Sequence, residues 1–129
     1  MVEISKEVKI ILYIDIIAAI IYAVQYLIIP DILFAGGTLY NPHMTRLWGG
    51  TIVVLLISAL IALKRGELET LNPIWEFVIL WWIMTLIMNF AALTYMPYTP
   101  TEVATAWRNI IVVIILTVVN MIFYNRAGK

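Results

Sequence analysis

The sequence predicts an all-α integral membrane protein: four antiparallel transmembrane helices in one bundle, with both termini on the cytoplasmic side. Three observations lead there. Of the 129 residues, 64% are hydrophobic and only 12% charged, against about 25% charged in soluble domains. A soluble chain of this size would expose apolar patches far larger than monomers tolerate. Four runs, 9–29, 44–63, 74–95 and 104–124, reach the roughly 20 mostly apolar residues that a spanning helix needs. The connections between them are short, so neighbouring helices run antiparallel and residues 1–129 read as a single domain.

The first span opens at Ser5. The preceding "MVEISKEVK" is mixed in charge and has no small-residue cleavage site, so it reads as a retained first span and not a cleaved signal peptide. The second span opens with "NPHM", the third with "NPIW" and the fourth with "TPTE". Each sets Asn41, Asn72 or Thr99 at the cap and a proline at the first helical position, where its missing N–H is harmless. Thr99 and Glu102 also have capping-box spacing. On this reading Glu76 lies in the first turn of the third helix, where a carboxylate complements the helix dipole. That helix, "IWEFVILWWIMTLIMNFAAL", contains no internal Gly or Pro to bend it.

Orientation follows from the basic residues. Lys6, Lys9, Lys64, Arg65, Arg126 and Lys129 fall on one side, and Arg46 and Arg108 on the other. The larger group marks the cytoplasmic side. Tyr40, Trp48, Tyr95, Tyr98 and Trp107 form an aromatic belt at the outer boundary.

Polar residues inside the spans are the candidate functional groups, since an ionisable side chain in hydrocarbon is costly. At ~1.5 Å rise per residue, Asp15, Ser58 and Asn120 share a level in the inner half. Gln25, Thr51, Asn89 and Asn109 share one in the outer half. At ~100° per residue, Asp15, Ala18, Ala19, Tyr22, Gln25 and Tyr26 form one stripe of the first helix. Thr85, Asn89 and Ala92 share a face of the third. Asn109, Leu116 and Asn120 share a face of the fourth, with Thr117 beside it, and Ser58 and Ala62 form a small-xxx-small pair on the second. Such mixtures of small and hydrogen-bonding residues mark membrane helix interfaces, so the stripes should turn inward. No Lys or Arg reaches the level of Asp15. Its carboxyl is therefore expected to be protonated or to share hydrogen bonds with Asn120, Ser58 or a hydroxyl.

A second group, Asp31, His43, Arg46 and Arg108, gathers near the outer face. The expectation is ion pairing with Asp31 or contact with lipid headgroups, ahead of a dedicated anion site. Met84 and Met88 share a helix face, with His43 and Met96 outward of them. Thioethers suit copper(I), but at helical spacing they more often pack a core. Of Trp81 and Trp82, one should pack inward and the other face lipid, a quinone-like ligand or a neighbouring subunit.

Other chemistry lacks its residues. There is no cysteine and a single histidine, and no nucleophile–base pair, Gly-rich phosphate loop or HExxH is present. Zero net charge leaves no footprint for nucleic acid. The features "MVEISKEVKIIL", "NPHMTRLWGG" and "NPIWEFVILWW", without cysteine and with almost no extramembrane mass, resemble the small Ile-rich accessory subunits of archaeal membrane complexes. One such is the extra small subunit accompanying archaeal ammonia monooxygenase, a particulate copper enzyme. The resemblance implies a non-catalytic scaffold packed against larger membrane subunits and lipid. It also implies that any copper lies in those partners and that this chain alone binds no metal or cofactor. Two other readings stand beside it: a homo-oligomeric proton-coupled transporter using Asp15, and a quinone- or lipid-binding module. The four-helix multidrug transporters of the small type carry a deep carboxylate in their first helix, as here. Their Gly/Pro-rich third helix and "AYAxW"-like signature are missing.

Overall fold

A computed structural model describes residues 2–38 and 40–127. Lys129, counted among the basic residues above, lies outside them. Among the described residues the chain is built of helices: α1 Lys6–Ala23, continued by a π-helical turn Val24–Ile28, then α2 Pro30–Phe34, α3 Pro42–Arg65, α4 Leu68–Tyr95 and α5 Pro100–Ala127. Four segments are long and apolar enough to cross a membrane: Lys6–Ile28, Pro42–Arg65, Leu68–Tyr95 and Pro100–Ala127.

Three starts form as their residues dictate. The Ser5 Oγ accepts from Val8 N at 3.3 Å, and the Asn41 Oδ1 from Met44 N at 3.1 Å, with Pro42 at the first helical position. Thr99 and Glu102 close the capping box from both sides: Thr99 N donates to Glu102 Oε2 at 2.7 Å, and Glu102 N to Thr99 Oγ1 at 3.4 Å.

The third apolar helix differs. It begins at Leu68, so Pro73 lies inside it and Asn72 is not its cap. The cause is the turn before it. Gly66 sits at φ 75°, a left-handed conformation that glycine adopts without steric cost. Its N–H donates to Ala62 O at 3.1 Å to end α3. Leu71 N already reaches Glu67 O at 3.1 Å, so the chain re-enters a helix two residues later. The expected stretch of connection from 64 to 73 shrinks to Gly66 and Glu67. Glu76 is consequently the ninth residue of α4, beyond the reach of the helix-terminal field, and the helix does contain a proline.

The chain forms two compact units, Met1–Trp75 and Glu76–Lys129. In the first, α1 and its π-helical turn pack along α3, and α2 touches both α3 and the π-helical turn. The tightest approach is at Gly49, which is buried. A Cβ there would stand 2.9 Å from Leu27 N, so α3 meets the π-helical turn backbone to backbone. The segment Val2–Ser5 folds onto the α3–α4 turn. Glu3 and Glu67 form an antiparallel bridge, Ile4 N donates to Gly66 O at 3.1 Å and Leu68 N to Val2 O at 2.9 Å.

In the second unit two side-chain contacts set α4 beside α5. Tyr124 donates to Glu76, and the Phe90 and Trp107 rings meet edge to face at 5.9 Å. Early α4 therefore meets late α5 and late α4 meets early α5, so the two helices run in opposite directions.

Candidate functional site

Of the group expected near the outer face, Asp31 and Arg46 come together. Pro30 starts α2 and sets Asp31 in its first turn. Arg46 lies one turn into α3, and Tyr40 ends the loop between them. Tyr40 Oη donates to Asp31 Oδ1, and Arg46 Nη2 donates to Asp31 Oδ2. Both carboxylate oxygens are thus engaged, and three successive pieces of chain are tied at one point. The Tyr40 phenol, then the Arg46 guanidinium, hold the Asp31 carboxyl below its ordinary value. Partial desolvation, then the Asp31 carboxylate, push the Tyr40 phenol above its own. An aromatic run leads from this cluster along the first unit. Tyr40 tilts on Phe34 at 6.4 Å, Phe34 stacks on Tyr26 at 5.2 Å, and Tyr26 stacks on Tyr22 at 6.1 Å.

Of the other residues expected here, His43 is exposed on the first turn of α3. Arg108 belongs to the second unit and is exposed on α5. The pairing of Arg46 with Asp31 was legible from sequence. The phenol of Tyr40, assigned to the belt, was not, because loop conformation decides it.

Five polar residues within the apolar helices share one habit. Ser58 Oγ donates to Val54 O at 2.9 Å, Thr85 Oγ1 to Trp81 O at 2.8 Å, and Asn89 Nδ2 to Thr85 O at 2.8 Å. Thr117 Oγ1 donates to Val113 O at 2.7 Å, and Asn120 Nδ2 to Leu116 O at 2.9 Å. Each sends a donor to the carbonyl four residues back in its own helix, the local solution that membrane helices use for such groups. Asn120 is 0% exposed, Thr117 6% and Asp15 7%, and Asp15 Oδ2 is shielded from solvent. Along the α1 stripe Asp15 is buried, and Ala18, Ala19, Tyr22, Gln25 and Tyr26 are half-buried. Asn109, on α5, is half-buried as well.

Two expectations change. Glu76 is not a helix-dipole carboxylate; it accepts from Tyr124 Oη. Met84 and Met88 share a face, but they are 54% and 52% exposed and do not pack a core. Of the two tryptophans, Trp82 is buried and Trp81 half-buried. Among the described residues no three His, Asp or Glu side chains gather as a metal site requires. The π-helical turn that carries Gln25 and Tyr26 was not foreseen, since no residue type marks such a turn.

No protein-family model, curated protein sequence or solved structure matches this chain.

Proposed function

We propose that the chain crosses the cell membrane four times, as one antiparallel bundle with both termini in the cytoplasm. It serves there as a non-catalytic subunit that scaffolds larger membrane subunits. The complex is a membrane oxidoreductase of the copper-dependent ammonia monooxygenase kind, with any copper in the partner chains.

One observation carries the scaffold reading. Ser58, Thr85, Asn89 and Thr117 all direct a donor to their own helix backbone, while large apolar side chains dominate the exposed surface of every spanning helix. In α4 only 6% of the most apolar stretch is buried. Groups satisfied inside their own helix hold helices in shape and leave apolar faces as the contact surface, which suits packing against lipid and other membrane helices. The test is the native mass of the untagged protein, gently extracted from its own membranes, with the co-migrating chains identified. Co-migration with larger metal-bearing chains is expected. Migration as a small homo-oligomer overturns the reading.

A second reading, a proton-coupled transporter centred on Asp15, has an observation of its own. The helix that carries Asp15 ends in a π-helical turn, and such turns recur at functional sites. Proton flux in vesicles holding the purified chain alone would favour it.

A further inference from the structure

We propose that the cleft under the Val2–Ser5 segment binds the headgroup of an amine-bearing zwitterionic phospholipid. The proposal rests on the membrane-spanning reading above.

The cleft has a volume of about 380 Å³ and is lined by Val2, Glu3, Lys9, Arg65, Gly66 and Glu67, within the size range of small-molecule sites. Its frame is backbone. The Glu3–Glu67 bridge and the bonds from Ile4 N to Gly66 O and from Leu68 N to Val2 O fix one wall, and Ile4 beside them is buried. The left-handed Gly66 separates α3 from α4 by two residues. Arg65, from the last turn of α3, and Glu67 therefore flank the same opening. Lys9 reaches it from the first turns of α1.

The lining holds two cations and two carboxylates, and they do not neutralise one another. Among the described residues the ion pair is Asp31 with Arg46. Among the described residues Lys9, Arg65 and Glu3 make no side-chain hydrogen bond or ion pair, and Glu67 accepts from Thr70 Oγ1 at 3.3 Å. A ligand that completes both signs carries a phosphate for Lys9 and Arg65 and an ammonium for Glu3 and Glu67. A purely anionic headgroup leaves the carboxylates opposed to its charge. A quaternary amine cannot donate a hydrogen bond to them. A primary amine beside a phosphate meets both needs. Position agrees: the cleft lies where the apolar α3 ends in Lys64 and Arg65, the level at which hydrocarbon gives way to headgroups.

The test uses the full chain in detergent micelles, titrated with phosphatidylethanolamine, phosphatidylglycerol and phosphatidylcholine and read by native mass spectrometry. One phosphatidylethanolamine per chain is expected, held at least roughly tenfold more tightly than the other two (about 1.4 kcal/mol). The double variant Lys9→Ala/Arg65→Ala should lose that advantage. Glu3→Gln/Glu67→Gln should erase the preference over phosphatidylglycerol, and it keeps the proposal testable if the first variant does not fold. Equal retention of all three lipids overturns the proposal, as does unchanged selectivity in both variants. Soluble phosphoethanolamine competing as effectively as the lipid would make the ligand a free aminophosphate and overturn the lipid assignment. Alkaline extraction of the membranes separates the two layers of argument. Release of the chain refutes the spanning reading and the lipid site with it, whereas retention without lipid selectivity refutes the site alone.

Discussion

Tyr124 and Glu76 are joined by a hydrogen bond across 48 positions of sequence, the phenol near the end of α5 donating to a carboxylate in the third turn of α4. At the other end of the same helix pair, Phe90 and Trp107 meet edge to face. Together these fix the register of α4 on α5. Neither contact is visible from helical periodicity, which treats each helix alone.

Tyr124→Phe removes the donor and keeps the ring. A hydrogen bond to a charged acceptor contributes about 1.5–3 kcal/mol when sheltered. This one is at the surface, so a loss of about 1 kcal/mol or less is expected. Glu76→Gln should cost no more than Tyr124→Phe, and the double variant less than the sum of the two. Reversible unfolding in mixed micelles measures the cycle, and strict additivity would show that the pair is not coupled.

Gly49 and Gly50 are neighbours in α3 with opposite surroundings. A methyl group at Gly49 meets Leu27 N at 2.9 Å, Leu27 Cβ at 3.1 Å and the Tyr26 carbonyl carbon at 3.1 Å, whereas at Gly50 it meets nothing within 4 Å. Gly49→Ala should therefore force α3 off the π-helical turn, at about 1–3 kcal/mol. Gly50→Ala should be neutral or stabilise by about 0.5–1 kcal/mol, as glycine is costly inside a helix. The same unfolding measurement distinguishes them, and equal effects would contradict the close approach.

The Asp31 cluster predicts a pH dependence at each end of the scale. The folded carboxyl lies below its ordinary value of 3.8, first because Tyr40 donates to it and then because of Arg46. Its contribution to stability is therefore present above that ordinary value and is lost as pH falls through the lower folded one. The Tyr40 phenol lies above its ordinary value of 10.0. Its contribution is complete below pH 10.0 and is lost as pH rises through the folded value. Carboxyl-carbon NMR should show the Asp31 midpoint moving up in Tyr40→Phe, and ultraviolet titration of the phenols should show one tyrosine that titrates above its ordinary range missing from that variant. An unmoved Asp31 midpoint would contradict the hydrogen bond.

How far such features could be read from the chain depended on how local their causes were. Asn41–Pro42 and Thr99–Pro100 begin helices as their residue types dictate, because a cap and its first turn decide that alone. Asn72–Pro73 carries the same signature yet lies inside α4. The deciding residue was Gly66, whose left-handed turn lets the next helix start at Leu68 before Asn72 can act as a cap. That displacement moved Glu76 from a first-turn carboxylate to a partner of Tyr124. Angular position grouped Asp15, Gln25 and Tyr26 on one stripe of the first helix, yet of that stripe only Asp15 is buried, and the other buried positions of α1 are the apolar Val8, Ile11, Leu12, Ile16 and Ala23. Angular position could not show that the serine, threonine and asparagine side chains of the other spans turn back on their own carbonyls, which is a matter of rotamers.

Asp15 gives the prediction that separates the functional readings. It is 7% exposed, and its Oδ2 is shielded from solvent. Asparagine keeps the size and one acceptor oxygen of the side chain but cannot carry a charge or pass a proton. In a scaffold, Asp15→Asn should keep the partner chains co-migrating and change stability by about 1 kcal/mol or less. Asp15→Leu should cost more, about 1–3 kcal/mol, because groups that now face a polar side chain would face a methyl group. The two variants are compared by native mass after gentle extraction and by proton flux in vesicles. Intact assembly together with abolished flux in Asp15→Asn would overturn the scaffold reading and make this carboxyl the centre of a transport cycle, since asparagine keeps the shape of the side chain but can neither ionise nor release a proton.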